Sequence, residues 1–388
     1  MKTFACAALA ALLGTTAMAA DPGVTDTEIK IGDVNIMTGP ASFIGRAVSI
    51  GSKIAAAEIN ENGGVNGRQI TIVTEDDGYV PARSFQALTK LIEVDEIFAL
   101  NGTSGTANVL AMMPLIEENN LPTIVSTAPN ELVYDPVRPS VFTLGASYSD
   151  AFYAQLKYIH ENAEPENAVY GLIRQDDDFG VAVEHGYDRA IEEFGVTDGA
   201  RVAFKKGTSN FAAEVVQFRS AGVNVLANGG IISGAANILS EARKLGLDLQ
   251  SAQVWSEDMP LSVNLAAEAG YNYYVADYVA LVGEANEAFR EKAAKYVTED
   301  DLGAMNRYTY VTYASLMAMA EAMRGCGEDL TRQCTIDNLR AMENFDVGGI
   351  VAPLSFNNDL QLSGTALAVY QLDAETKTFT QKTDFIDY

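Results

Sequence analysis

Apolar positions along this chain follow two alternating rhythms. Ile29, Ile31 and Asp33 take turns with Lys30, Gly32 and Val34 in a short β-forming run, which Thr38, Gly39 and Pro40 break. Ala47, Ile50, Ile54 and Ala57 then recur at spacings of three and four, as one face of a helix does, and Gly63-Gly64 supplies a left-handed stop. Ile70 to Thr74 reads as the next strand. Strand, helix and strand in this order predict a right-handed βαβ unit with a parallel sheet, whose ligands sit beyond the C-terminal ends of the strands. The Thr38 to Gly45 loop lies at that end.

The alternation continues. Phe85, Leu88 and Ile92 mark a helix after Pro81, Ile97 to Leu100 a strand, and a helix with a kink expected at Pro114 runs from about Thr106 to Asn119 before the strand Thr123 to Val125. Val141 to Leu144 leads across Gly145 into a new helix near Asp150, and the series restarts. Its strands are expected at Ala168 to Ile173, Ala200 to Lys205, Val223 to Ala227 and Ala252 to Trp255. After Tyr273 to Leu281 the pattern becomes two long helices, Asn286 to Val297 and Ala304 to Arg324, and Ala366 to Leu372 with Lys377 to Gln381 closes the chain as a hairpin.

The string IGDVNIMTGPASFIGRAVSIGSKIAAAEINENGGVNGRQITIVTEDD resembles the opening of the periplasmic leucine/isoleucine/valine-binding proteins, the type I solute receptors of branched-chain amino acid ABC importers. The ordered set carries the likeness: strand, SGP-like loop, helix ending in NxxGG, short G-R turn, strand, and the acidic pair Asp76-Asp77. It extends more loosely to the C-terminus. The resemblance implies an α/β fold of two doubly wound parallel-sheet lobes joined by a three-segment hinge. Residues 27–145 and 276–355 would form the N-terminal lobe, and 146–275 with 356–388 the C-terminal lobe. It implies a receptor that captures a small zwitterionic or carboxylate ligand, an amino acid first, and delivers it to a membrane ABC permease. A sensory co-receptor of the same fold is the alternative output.

Composition changes that picture little, and the N-terminus adds to it. The chain has 388 residues, long enough for two core-bearing domains, with 48% hydrophobic and 20% charged content. Met1 to Ala19 carries Lys2, an apolar run from Phe4 to Leu13 and the small-x-small site Ala17-Met18-Ala19, so 1–19 reads as a cleaved signal peptide and the protein as periplasmic. Loss of Lys2 and no acid would take the formal charge from −26 to −27, which excludes nucleic acid as a partner. Cys326 and Cys334 would remain after cleavage, an even count in an exported chain, and are expected to pair as a disulfide within a polar loop. A monomer is expected.

Candidate chemistry falls on the loops that follow strands: Met37 to Gly45, Asn101 to Thr106, Ser126 to Glu131, Arg174 to Gly180, Gly229 to Gly234 and Trp255 to Met259. Gly102 to Thr106 sets small hydroxyl residues at a helix N-terminus, where free N–H groups favour an anion, although Ser104 or Thr103 would equally serve as a plain N-cap. By the resemblance, Ser104, Ala128 and Thr127 hold the ligand's α-carboxylate and Glu257 receives its ammonium. Glu257 alone would also pass as a solvated acidic loop residue. Where the family carries pocket tyrosines this chain has Ile44, Phe179 and Ile231; Phe43 and Trp255 add apolar surface, and Tyr308 aligns with an aromatic pocket position. These departures leave an aromatic carboxylate or an amide open as ligand. No catalytic, metal or cofactor site is expected: His160 and His185 sit in helices away from any nucleophile elbow, no G-x-G-x-x-G follows the first strand, and the acidic runs read as loop and cap residues.

Overall fold

In a computed structural model, residues 21–231 and 233–388 are described, apart from the side chains of Glu257, Asp258 and Leu261; the expected signal segment Met1 to Ala19 lies outside the described residues. The first series is β1 (Glu28–Asn35), α1 (Ser42–Glu61), β2 (Gln69–Asp76), α2 (Pro81–Glu93), β3 (Ala99–Asn101), α3 (Thr106–Glu118), β4 (Thr123–Val125), α4 (Glu131–Tyr134) and β5 (Val141–Thr143). Its strands form one parallel sheet in the order β2-β1-β3-β4-β5.

The second series is α5 (Tyr148–Asn162), β6 (Val169–Gln175), α6 (Asp178–Phe194), β7 (Thr197–Phe204), α7 (Ala212–Ala221), β8 (Val225–Gly229), α8 (Ser233–Lys244), β9 (Gln250–Gln253), a 3-10 turn at Trp255–Asp258, α9 (Pro260–Ala269) and β10 (Tyr273–Asp277). The chain then makes α10 (Glu284–Ala293), α11 (Glu299–Ala304), α12 (Arg307–Arg324) and α13 (Arg332–Arg340), and ends in β11 (Ala368–Asp373) and β12 (Thr378–Gln381). The second sheet runs β12-β11-β10-β9-β8-β6-β7, parallel except for the closing antiparallel pairs of β11.

Local chemistry sets the element ends. Gly63 and Gly64 take φ of 91° and 74° after α1, a region closed to most side chains. Asp177 caps α6 by accepting from Gly180 N, and Gly195 ends that helix in the left-handed region. Asn306 opens α12 with a capping box, so the second long helix begins at Arg307 rather than Ala304. Thr298 caps a separate short helix, α11, in the gap between the two expected helices. The disulfide Cys326–Cys334 is present, but only Cys326 lies in a loop; Cys334 sits in the first turn of α13, where its N–H is capped by Thr331.

Helices α1 and α12 pack together against the first sheet, so the late helices complete the first lobe. Three segments connect the lobes. Leu144 to Ser147 joins β5 to α5, Tyr278 to Leu281 follows β10, and the stretch between Leu362 and β11 returns to the second sheet. They are tied side by side through the Thr143–Leu362 and Val279–Val351 bridges and by Gly145 N donating to Ser363 Oγ at 2.8 Å. β10 belongs to the second sheet through Asp277, and pairing with β5 extends through Leu362.

Candidate ligand-binding cleft

The C-terminal ends of both sheets face a cavity of about 30 Å³, room for little more than ordered water. The first lobe contributes Ile44 from the first turn of α1, Ser104 and Thr106 at the start of α3, Thr127 after β4, and Tyr308 from α12. Opposite stand Tyr148 of α5, Phe179 of α6, Ile231 after β8 and Ser256 after β9. Ser104, Thr127, Ile44, Phe179, Ile231 and Tyr308, all singled out in the sequence, therefore meet at one place.

Two others stand off it. Helix α1 begins at Ser42, so Phe43 and Ile44 are successive helical residues about 100° apart around the axis. Ile44 borders the cavity, while Phe43 packs beside it on the small cluster of Ile36, Val48 and Met259. Ala128 is wholly buried in the first lobe's core with Val34 and Val125. Glu257 has its backbone in the 3-10 turn beside Ser256, and its side chain lies outside the described residues.

Tyr79 and Tyr148 also line the cavity and were not anticipated. Tyr79 ends the turn that follows β2 and the acidic pair, with φ of 64°. Its hydroxyl is bonded to Gln175 of the second lobe, and burial pushes its pKa far up, so it stays a neutral phenol. Tyr148 opens the helix just past the first crossing and donates across the cleft to Thr127 O at 3.3 Å. Burial, then the neighbouring Tyr308 and Tyr79, raise its pKa well above the ordinary tyrosine value. The loops after β2 and at the lobe crossing obey the same strand-end rule, which was the signal available for both.

The donors and acceptors of the first-lobe wall are ordered. Helix α3 has no side-chain cap, so the N–H groups of its first turn face the cavity end unpaired, and Thr106 Oγ1 has no hydrogen-bond partner. Ser104 Oγ donates to Asn35 Oδ1 at 3.0 Å, and Asn35 Nδ2 donates to Asp33 Oδ1 at 2.5 Å. Thr127 Oγ1 donates to Thr103 O. Asp33 is 1% exposed; its burial, then the charge of Asp77, push its pKa well up despite the bond from Asn35. The other acids form turns: Asp76 accepts from Met37 N and Thr38 Oγ1, and Asp77 accepts from Ser84 and Asn108.

Behind the second-lobe wall, Trp255 lies against Tyr148 with ring centroids 4.7 Å apart. Arg307, 0% exposed, crosses from α12 to pair with Asp277 at the end of β10, at 2.5 Å and 3.0 Å, and its guanidinium lies 4.6 Å from the Trp255 ring centroid. At the mouth, Asn130 Nδ2 donates to Asp178 O at 3.1 Å and Lys206 Nζ to Tyr79 O at 2.9 Å. Contacts from both lobes thus hold the walls together.

Two lobes closing a cleft at the carboxyl ends of their strands is an arrangement for enclosing a solute. Residues 28–377 match the family model described as periplasmic binding protein. The chain belongs to the periplasmic binding protein family. Within that family it is 23% identical over 380 residues to the leucine-specific-binding protein of Salmonella typhimurium, a match covering 96% of this chain and 98% of that one. Its fold is similar to a branched chain amino acid ABC transporter structure from Thermus thermophilus with bound valine, at a TM-score of 0.83 and 20% identity, covering 94% and 98% of the two chains. It is also similar to a solute binding protein of an ABC transporter from R. palustris in complex with 4-hydroxybenzoate, at a TM-score of 0.80 and 16% identity over 92% and 96%. The family consists of binding proteins. Among the described residues no helix is long and apolar enough to cross a membrane, and no group of histidine, cysteine and acidic side chains could hold a metal ion.

Proposed function

We propose that this protein is a periplasmic receptor that closes over one amino acid and delivers it, as a monomer, to a membrane ABC permease. The observation that carries the reading is the polar wall at the start of α3, with uncapped N–H groups, Thr106, Ser104 and Thr127, set against the apolar wall of Phe179 and Ile231. The carboxylate belongs at the α3 N-terminus, where the helix dipole and free donors favour an anion. The side chain then points toward Ile44, Phe179 and Ile231, and Glu257, on the turn after β9, meets the ammonium. The amino acids that relatives are named for, leucine and valine, fit this division. Closure follows because only the closed form lets one ligand touch both lobes.

A second ligand, an aromatic carboxylate, is favoured by the rings of Tyr79, Tyr148, Phe179 and Tyr308 around the cavity and by the 4-hydroxybenzoate held by a structural neighbour. Titration calorimetry of the purified protein with leucine, valine, phenylalanine and 4-hydroxybenzoate separates the two. An amino acid should bind, and Glu257→Ala should weaken it at least tenfold while leaving 4-hydroxybenzoate unaffected. Unchanged amino-acid affinity in that variant removes the ammonium role, and binding of 4-hydroxybenzoate alone decides for the second ligand.

A further inference from the structure

The loop after β2 ends on Tyr79, and the turn that carries it is tied down on the first lobe. Asp76 accepts from Met37 N and Thr38 Oγ1, while Asp77, wholly buried, accepts from Ser84, from Asn108 and from Tyr79 N at 2.8 Å. Tyr79 takes φ of 64°, a left-handed conformation that a bulky residue rarely adopts. Its ring lies on Gly105: a Cβ there, where φ is +83°, would stand 2.6 Å from Tyr79 Cε2. The ring therefore covers the start of α3. From the other side the second lobe grips the same residue. Lys206, on the turn that follows β7, donates from Nζ to Tyr79 O at 2.9 Å and rests its ammonium on the ring. Gln175, at the end of β6, meets the hydroxyl. One first-lobe residue thus carries backbone, ring and hydroxyl contacts to two strand ends of the second lobe, and all of them are contacts of the protein with itself.

We propose that Tyr79 is a built-in clasp: gripped by Lys206 and Gln175 it shuts the unliganded cleft, and a ligand binds only by displacing its ring from Gly105. This rests on the reading above, which seats the ligand's anionic group at the α3 N-terminus, the spot the ring covers. A cavity of about 30 Å³ has no room for an amino acid beside the ring, so ring and ligand compete for one seat. The clasp is weak enough to be released. A hydrogen bond and a cation on an aromatic face together shift an equilibrium by about tenfold. A ligand whose binding-competent form is only a fraction of the protein shows an affinity reduced by that fraction, so the clasp raises the concentration at which the receptor fills.

The first arm of the test needs no ligand. Spin labels on Phe85→Cys in α2 and Val216→Cys in α7, exposed positions on opposite lobes, report the separation of the cleft rims by double electron–electron resonance. The ligand-free chain should give one short distance, and Tyr79→Ala should add a longer one as the lobes part. Lys206→Met, on an exposed turn, should shift the distances the same way and carries the test if Tyr79→Ala does not melt cooperatively. A ligand-free distribution that is already long, or one that neither variant changes, overturns the clasp. The second arm is stopped-flow binding of leucine. Tyr79→Ala should bind it about tenfold faster and tighter, because the competitor is gone. Slower and weaker binding makes the ring a ligand contact and overturns the competition. If leucine binds neither protein, the amino-acid reading fails, while the first arm still decides the clasp.

Discussion

Arg307 is a full charge with no exposed surface, and what it leans on decides what its loss would do. Asp277 grips it with two hydrogen bonds, and the rings of Trp255, Tyr278 and Tyr308 lie within 5.2 Å of its guanidinium carbon. Replacing it by leucine would strand Asp277 without its cation in a site closed to water, a loss of about 3–5 kcal/mol in urea unfolding. The double change Arg307→Met with Asp277→Leu should recover most of that loss, since it removes both charges. If the single and double variants unfold alike, the pair is not the source of the cost. Nothing in the sequence paired these two residues, which are thirty positions apart and reveal themselves only by burial. Legibility at this scale followed the loops. Ser104, Thr127, Phe179 and Ile231 lie near strand ends and could be read; Phe43 and Ala128 lie in the same stretches but point elsewhere, because a helix or a turn rotates neighbouring side chains apart. Tyr148 was hidden by its place just past a lobe crossing.

At the scale of elements, the most demanding contact is that of α1 with α12. A Cβ on Gly51 would lie 2.4 Å from Thr309 O and 3.0 Å from Thr312 Cβ, so the two helices approach across a missing side chain. Gly51→Val should therefore cost about 1–3 kcal/mol by forcing them apart, read as a lower urea midpoint. Gly303→Ala in α11, where a Cβ would meet nothing within 4 Å, should be neutral or stabilising and serves as the contrast. Equal effects would remove the packing explanation. The helical period of Ala47, Ile50 and Ile54 showed which face of α1 is buried, but not that Gly51 was the point of closest approach. Element ends were read less well than element types. Trp255, expected to end a strand, opens a 3-10 turn after β9, and α10 stops at Ala293. Caps on residues such as Asn306 and Thr298 decide such ends, and periodicity does not register them.

The whole molecule reduces to two βα series and three crossings; the series and the first crossing, at Gly145, were visible in the sequence, and the later two crossings were not. That α10 to α13 return to the first lobe was implied only by the family resemblance, because chain order says nothing of which sheet a late helix joins. Closure is the property that belongs to this scale. Lys206 remains exposed along its stem, yet its ammonium sits on the Tyr79 ring; loss of water around it brings its pKa down to about 8, against the pull of Asp177 and Asp77. A lysine whose native pKa is depressed penalises the closed, folded form while charged, and that penalty fades as pH rises from about 8 to the ordinary value near 10.4. The native protein should therefore gain stability relative to Lys206→Met between those pH values, and parallel urea midpoints across the window would refute the desolvation. The cleft carries its own signal as well. Trp255 is the one tryptophan in the chain, and it lies between Tyr148 on the cavity wall and the Arg307 guanidinium. Its emission thus has a single origin, at the seam the ligand must open. Since walls this close admit a solute only after they part, stopped-flow fluorescence should show an observed rate that climbs with ligand concentration and then levels off at the rate of opening, a ceiling that no gain in affinity can raise.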